Sequence, residues 1–389
     1  GDDKAERTEG TAALQVFPAL SLSRDNYARF PFLCPASTFL QSLHRARDQR
    51  LVADWSVDGV YYDISLNNVR HTCISSAHQH QPGASTAITD AYREMLSKSA
   101  AAMKRAADGT AIPQGSELIN EQLVSHLAFY QARAEASPAA PFEADPFRTM
   151  IKNRSAEKIP LFTYVYHEFG PVRIDGWAKL SREQGDFVYF VLGRVFVQGG
   201  LIELNYEFSA LEDLGTPHDQ PAEHYYPFPE HYFAIDPELA AYVGSLALAR
   251  IGRANRYLAY GVMLRPAPFE VLDESDVELE YYLYHVGTDF SEYGERGSMT
   301  VPAVLQSTWR YRDESVAWIF LNVAPEDRRI YVHIDLPTLA NGSPRTWQLT
   351  CYQEDDLAGP MGRLTAPRRV RLDLPARRPV LLEAVPIQT

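Results

Sequence analysis

The chain has 389 residues, and its apolar and charged fractions are those of an ordinary soluble globular protein with room for two or three domains. The formal net charge of -13, with no strongly basic stripe, argues against nucleic acid and anionic membranes as partners. No apolar run approaches the ~20 residues of a membrane span, so we expect a soluble protein, of unassigned compartment. The odd, widely spaced set Cys34, Cys73 and Cys351 predicts neither a disulfide framework nor a zinc motif.

A helix and a short buried strand are the first regular elements predicted. Ser37 or Thr38 is the expected N-cap of the helix. Its apolar stripe consists of Leu40, Leu43, Leu51 and Val52. The strand that follows, from Gly59 to Tyr62, is apolar and is followed by Asp63. A buried parallel strand of a barrel delivers a carboxylate to the active-site face in this way, although Asp63 also suits an Asx turn that caps the next loop.

Strand, loop and helix then alternate along the chain. The predicted helices span residues 85–108, 121–136, 179–198 and 237–252, and the predicted strands span 111–117, 159–168 and 200–205. Several of these strands end in carboxylates, which favours the face of a barrel over a doubly wound sheet. From about Asn255 the pattern changes to short alternating runs between Pro, Gly and Asp turns, which is typical of an antiparallel β-sandwich.

The predicted fold is therefore α/β, a (β/α)8 TIM barrel followed by a C-terminal antiparallel β-sandwich. Residues 1–256 form the C-terminal part of the catalytic barrel in this prediction, and residues 257–389 form the sandwich. Only four or five βα units precede the sandwich, whereas a closed barrel needs eight strands. The chain begins Gly-Asp-Asp-Lys without an initiator Met or a signal peptide, so we expect an N-terminally incomplete barrel whose first strands belong to an upstream segment.

Several motifs resemble an uncharacterised family of the glycoside hydrolase TIM-barrel superfamily, related to α-amylase-like and endo-α-N-acetylgalactosaminidase-like enzymes. They are Cys34-Pro-Ala-Ser, Val57-Asp-Gly-Val-Tyr-Tyr-Asp, His78-Gln-His-Gln-Pro-Gly, Gly115-Ser-Glu with Asn120-Glu121, Pro160-Leu-Phe-Thr-Tyr-Val-Tyr-His-Glu and Tyr257-Leu-Ala-Tyr-Gly-Val-Met-Leu-Arg-Pro. The resemblance covers roughly residues 30–389. In that family the Cys-Pro element follows the third barrel strand, which implies that this chain lacks strands one to three.

The resemblance implies a glycosidase that acts on α-linked glycans with retention of configuration. Asp63 matches the nucleophile on strand four, and Glu117 matches the acid/base on strand five. Two carboxylates are needed because one attacks the anomeric carbon while the other protonates the leaving oxygen. Glu117 also fits an acid stabilised by a helix dipole, and Glu121, on the same predicted helical face, is the rival acid.

The predicted substrate-binding residues lie at or near the other strand ends: Asn67, Asn68, His78, His80, Glu121, Tyr166, His167, Glu168, Glu203 and Asn205. His78 and His80 also raise the alternative of a metal-dependent hydrolase, but they lack a fixed third ligand. No metal and no cofactor are predicted. The expected partners are an oligo- or polysaccharide substrate and the missing N-terminal half of the barrel. The alternative function is a catalytically silent carbohydrate-binding or scaffolding fragment of such an enzyme.

Overall fold

The computed structural model describes residues 13–18, 27–32, 34–62, 73, 80–83, 86–104, 108–117, 120–132, 149–150, 152–157, 159–174, 185–202, 235–286, 292–336 and 345–387. The chain divides into two compact units, Gly1–Arg133 with Val286–Ser291 and Ala134–His285 with Glu292–Thr389. The domain boundary near residue 256 stays a prediction. No helix in the described ranges is long and apolar enough to cross a bilayer.

The first unit mixes helices with parallel strands. Its described elements are β1 (Ala13–Pro18), β2 (Tyr27–Phe32), α1 (Thr38–Trp55), β3 (Val60–Tyr62), α2 (Ala87–Ala102), β4 (Gln114–Glu117) and β5 (Phe129–Ala132). Strands β1 and β2 pair antiparallel, whereas β3, β4 and β5 pair parallel in that order. The succession β3–α2–β4 is a βαβ unit, as the alternating pattern predicts. Ser37 is confirmed as the N-cap of α1, since its Oγ accepts a hydrogen bond from the backbone N–H of Leu40.

The connection from β4 to β5 corrects the predicted helix over residues 121–136. The described residues 120–128 form a turn and a short 3-10 helix, Val124–His126, before the chain enters β5. The Asn120 side chain accepts from the backbone N–H of Leu123 and so stabilises the turn. Leu123, Leu127 and Tyr130 are buried as expected, but in a turn and a strand, because a few apolar positions do not distinguish these from a short helix.

The buried face of α1 is polar, which corrects the predicted apolar stripe. Leu43 is 44% exposed, whereas Gln41, His44 and Asp48 are buried. Asp48 accepts hydrogen bonds from Arg47 at 2.6 Å and from the Tyr62 hydroxyl at 2.8 Å, and it lies 3.1 Å from Nδ1 of His44. These partners satisfy the buried carboxylate, so a polar helix face can pack without leaving an unpaired charge.

The acid stability of the first unit is expected to depend on Asp48. Burial alone would raise the pKa of Asp48, but His44, Arg47 and Tyr62 outweigh it and lower the pKa to about 2. A pKa below the unfolded value contributes stability at neutral pH that is lost as the pH falls from about 4 to about 2. Asp48→Asn should therefore lower the free energy of unfolding at pH 7 by about 2–3 kcal/mol, measured by urea unfolding.

The matched control for this prediction is Asp54→Asn on the same helix. Asp54 is exposed and pairs with Arg50 at 3.2 Å, an interaction worth roughly 0–1 kcal/mol. An Asp48→Asn protein as stable as the Asp54→Asn protein across this pH range would contradict the role given to the buried network.

The second unit begins with short helices and a parallel pair of strands. Its first described elements are α3 (Leu161–Tyr166), a 3-10 helix (His167–Phe169), β6 (Val172–Ile174), α4 (Phe187–Val197), β7 (Leu201–Ile202), α5 (Pro237–Ile251) and α6 (Asn255–Leu258). Strands β6 and β7 pair parallel. The strand predicted over residues 159–168 is wrong, because most of this segment is helical. Pro160 precedes the first turn of α3, which is closed by the hydrogen bond from the Tyr164 N–H to the Pro160 carbonyl oxygen. The predicted helix from Pro237 is confirmed, with Asp236 as its N-cap.

The rest of the second unit is antiparallel, as predicted for the residues after about 255. The strands are β8 (Val262–Leu264), β9 (Phe269–Val271), β10 (Asp276–Val286), β11 (Glu292–Pro302), β12 (Val304–Arg310), β13 (Val316–Asn322), β14 (Arg328–Ile334), β15 (Trp347–Gln353), β16 (Asp356–Leu364), β17 (Arg368–Leu374) and β18 (Pro379–Pro386). A six-stranded sheet has the order β16-β15-β18-β13-β12-β8, and a three-stranded sheet has the order β17-β14-β9. A third sheet pairs β10 with β11.

The central strands β13 and β18 of the six-stranded sheet are buried on both faces, which explains the uninterrupted apolar sequence of β13. Phe320 and Leu382 pack with Ile330 of the three-stranded sheet in one apolar core. The intervening Ile319 and Leu381 belong to a second core that contains α4 and α5. A strand covered on both faces loses the alternation of apolar and polar residues that a half-exposed strand shows.

Candidate active site

Glu117, the last residue of β4, is a carboxylate at the end of a strand in the first unit. Its side chain is 2% exposed. Gln114, the first residue of β4, lies on the face of the sheet that contacts the helices, because its Nε2 donates to the Leu96 carbonyl oxygen of α2. Since successive residues of a strand point to opposite faces, Glu117 points away from α1 and α2. It therefore lies at the carboxyl end of a parallel strand, on the face opposite α1 and α2.

Four residues share this face with Glu117. Gln131 of β5 is its register partner, and Gly115 pairs with Tyr61 on one side and with Phe129 on the other. The Tyr61 hydroxyl donates to Oε1 of Gln131. A side chain at Gly115 would overlap the ring of Phe129, so glycine lets that ring lie across β4. The result is a rigid strand surface with polar groups around the Glu117 end.

The predicted rival acid, Glu121, has a different environment from Glu117. Glu121 is exposed on the turn after Asn120, and Glu117 belongs to a strand. The prediction that both acids share a helical face is wrong, because Glu117 lies in β4 and Glu121 lies in a turn. Asn120 is engaged in capping the turn at Leu123, 3.0 Å from its side-chain oxygen.

Several predicted site residues lie outside the described residues. They are Asp63, Asn67, Asn68, His78, Glu203 and Asn205. Asp63 directly follows Tyr62, the last residue of β3, and the register partner of Tyr62 is Ser116, the residue before Glu117. The roles of these six residues stay predictions.

His80 belongs to a cluster that the sequence prediction missed. Its Nε2 lies 3.2 Å from Sγ of Cys34, and Cys73 completes a group whose three ligand atoms all lie within 4.8 Å of one another. Both cysteines are buried, and His80 is partly exposed. Burial raises the pKa of the Cys34 thiol to about 12. The three residues are far apart in the sequence and lack the short Cys-x-x-Cys spacing by which most zinc motifs are found.

His167 of the second unit is buried against apolar and aromatic groups. Its ring centroid lies 4.7 Å from that of Trp309, and a side chain at Gly199 would contact its ring. Desolvation by burial, together with the charge of Arg250, lowers the pKa of His167 to about 4, so the ring is neutral at physiological pH. These contacts are those of a core histidine, and its predicted role in substrate binding is not shown by them.

Tyr166 and Glu168, on either side of His167, are more accessible. Tyr166 packs beside Phe162 and Phe169, whereas Glu168 is exposed and lines an open surface pocket of about 260 Å³. The other residues that line the pocket are Ala259, Tyr260, Val262, Arg310, Tyr311, Arg312 and Glu314. Substrate binding by Tyr166 and Glu168 stays a prediction.

Comparison with known proteins gives a partial family match and distant structural likenesses. A family model described as a domain of unknown function (DUF6259) matches residues 18–173, which is less than half of the chain. No curated protein sequence matches the chain.

Three of the similar solved structures are glycosidases. A GH27 β-L-arabinopyranosidase from Geobacillus stearothermophilus is 8% identical over 94% of this chain and 66% of its own, with a TM-score of 0.38. α-Galactosidase I from Mortierella vinacea is 11% identical over 88% of this chain and 71% of its own, with a TM-score of 0.37. The α-galactosidase from Saccharomyces cerevisiae is 11% identical over 87% of this chain and 74% of its own, with a TM-score of 0.37. The chain thus spans about two thirds to three quarters of the length of these structures.

Proposed function

We propose that this chain carries the catalytic carboxylates of a retaining glycoside hydrolase that acts on α-linked glycans. The observation that carries the proposal is Glu117, a buried carboxylate at the carboxyl end of a parallel strand, on the face away from the helices. In a (β/α)8 barrel that face lines the interior, and the carboxyl ends of the strands form the active site. Strands β3, β4 and β5 are then successive strands of the barrel.

Asp63 is the proposed nucleophile because it follows the strand next to Glu117. Tyr62 and Ser116 are register partners, and Asp63 and Glu117 are the residues that come directly after them in the sequence. Neighbouring strands lie about 4.8 Å apart, which suits the ~5 Å separation of a retaining pair better than the ~6.5–9.5 Å of an inverting pair.

The proposed reaction has two steps. In the first, the Asp63 carboxylate attacks the anomeric carbon while Glu117 gives its proton to the departing glycosidic oxygen. In the second, Glu117 takes a proton from water, which hydrolyses the glycosyl ester on Asp63 with a second inversion and hence overall retention. Asn67, Asn68, His78 and Glu121 are proposed to contact sugar hydroxyls, and the antiparallel sheets of the second unit serve as structural support.

The test is hydrolysis of a panel of aryl α-glycosides and α-linked oligosaccharides by the purified chain and by Asp63→Asn. We expect the substitution to lower kcat/KM by about 10⁴-fold, because it removes the nucleophile. Asp58→Asn is the matched control and should retain activity, because Asp58 is an exposed carboxylate two residues before the same strand. NMR of the first product formed reports retention directly. An Asp63→Asn protein with the activity of Asp58→Asn, or a product of inverted configuration, would refute this assignment.

The second candidate function is glycan binding without turnover. The described residues include three parallel strands in the first unit, β3 to β5, and two in the second, β6 and β7, whereas a closed (β/α)8 barrel has eight. A chain that binds the glycan panel in calorimetric titrations, with no hydrolysis by the wild-type protein, would support this candidate over the enzyme.

A further inference from the structure

Three soft metal-binding groups converge in the first unit, in a place that the proposed glycosidase chemistry does not use. Cys34 directly precedes the turn that leads into α1, whereas Cys73 and His80 come from the segment before α2. The backbone N–H of Gly83 donates to the Cys73 carbonyl oxygen at 2.8 Å, and Gly83 has a φ of 117°, a conformation that glycine adopts readily. This backbone pairing of Gly83 with Cys73 holds residues 80–83 beside Cys73.

The distances within this cluster suit a tetrahedral zinc ion. The three ligand atoms lie within 4.8 Å of one another, and Cys34 Sγ lies 3.2 Å from His80 Nε2. With Zn–S bonds of about 2.3 Å and a Zn–N bond of about 2.0 Å, two sulfurs of a tetrahedral site lie about 3.8 Å apart, and sulfur lies about 3.5 Å from nitrogen. Adjustments of well under 1 Å in the Cys34–His80 pair therefore accommodate the ion.

A hydrogen bond to the backbone orients the ring of His80 within the cluster. Nδ1 of His80 lies 3.0 Å from the carbonyl oxygen of Gln81, and a carbonyl accepts but does not donate. Nδ1 therefore carries the proton, and the lone pair on Nε2 points towards the thiol of Cys34.

We propose that Cys34, Cys73 and His80 bind one Zn²⁺ ion through two thiolates and one imidazole nitrogen. Such a donor set favours zinc over magnesium or calcium, which prefer oxygen ligands. Three protein ligands leave the fourth tetrahedral position to a water molecule on the partly exposed side of His80. The ion joins the residue before α1 to the segment before α2, so its binding adds to the stability of the first unit.

Zinc binding is tested with the metal alone on the full chain, after removal of bound metal with a chelator and reduction of the thiols. Equilibrium dialysis should give one zinc per chain for the wild type and for Cys351→Ser, whose cysteine lies outside the cluster. Cys34→Ser, Cys73→Ser and His80→Gln should each weaken binding by at least about 100-fold. Co²⁺ in place of Zn²⁺ should give thiolate charge-transfer bands and the intense visible bands of a tetrahedral ion. We expect these bands in the wild type and in Cys351→Ser, but not in the three variants of the cluster.

A second measurement needs no substitution and so does not depend on the folding of the variants. Alkylation of the wild-type chain followed by peptide mass spectrometry should show that zinc protects Cys34 and Cys73, while Cys351 reacts alike with and without the metal. The proposal is overturned if the reduced wild type takes up no zinc, if Cys34→Ser and Cys73→Ser bind zinc as tightly as Cys351→Ser, or if zinc leaves the alkylation of Cys34 and Cys73 unchanged.

Discussion

Replacing Glu117 by Gln is expected to lower kcat/KM for a glycoside with a poor leaving group by about 10²–10⁴-fold. The proposed role of Glu117 is to protonate the departing oxygen, and an amide cannot supply that proton. Gln keeps the shape of the buried side chain at the end of β4, so the strand and its contacts with Gln131 and Phe129 are retained. Steady-state kinetics on an alkyl and an activated aryl glycoside measure the effect.

The choice of leaving group separates acid catalysis from a structural effect. An activated phenolate departs without a proton, so the first step should be nearly unaffected in Glu117→Gln, and a glycosyl-enzyme should accumulate with a burst of phenol. Added azide, which needs no general base, should then restore turnover and give a glycosyl azide of retained configuration. A misfolded active site would instead lose activity equally on both substrates, with no burst and no response to azide.

Glu121→Gln provides the matched control, since it makes the same chemical change four residues further along the chain. Glu121 is exposed on a turn and is proposed only to contact sugar hydroxyls, whereas Glu117 is buried at a strand end, so the control should raise KM modestly while kcat on the alkyl glycoside is nearly unchanged and no burst appears. If Glu121→Gln shows the larger loss and the burst, Glu121 is the acid and the assignment of Glu117 is wrong.

The sequence predicts this fold best where local chemistry determines the element. Ser37 before α1, and Asp236 with Pro237 at the start of α5, are capping signals that act within a few residues. The two wrong elements, at residues 121–136 and 159–168, are short apolar stretches that suit helix and strand about equally, so tertiary contacts decide between them. The predicted apolar stripe of α1 is wrong for the same reason. The buried face is polar because the partners that satisfy Asp48 include Tyr62 on another element.

The candidate site shows the same division between local and tertiary information. A carboxylate at the end of a short strand is visible in the sequence as Gly115-Ser-Glu117, and the structure places Glu117 there. Its orientation away from the helices depends on the register with β3 and β5, which no local pattern specifies. Cys34, Cys73 and His80 are brought together by the fold alone, so each one appears in the sequence as an isolated residue.

A second buried carboxylate, Glu383 of β18, organises a charge network within the second unit. Its side chain is 1% exposed, and Arg253 binds it with two hydrogen bonds of 3.0 and 2.7 Å. The Tyr257 hydroxyl of α6 donates to the same carboxylate at 2.6 Å and lies 2.9 Å from the Ser315 hydroxyl. Hydrogen bonding to Glu383 raises the pKa of Arg253, so the guanidinium stays charged over the physiological range. The network therefore ties the segment after α5 to the six-stranded sheet.

Replacing Glu383 by Ala is expected to lower the free energy of unfolding of the second unit by about 3–5 kcal/mol. The loss has two parts, because it leaves Arg253 and Tyr257 without their acceptor and opens a cavity beside the sheet. Urea unfolding followed by tryptophan fluorescence measures it, since Trp309 and Trp318 are buried in this unit.

The control for this prediction is Glu270→Ala on β9. Glu270 pairs with Arg369 at 2.5 Å, but the two side chains are 59% and 46% exposed, so water replaces the lost partner and the cost should stay below about 1 kcal/mol. The two substitutions remove the same group from an ion pair and differ chiefly in burial. Equal losses for the two variants would mean that the Glu383 network contributes no more than a surface pair, and that apolar packing alone attaches the helices to the six-stranded sheet. A larger loss for Glu383→Ala, only partly restored by Glu383→Gln, would show that the charge itself is needed, because Gln fills the same space but offers Arg253 one acceptor oxygen instead of two.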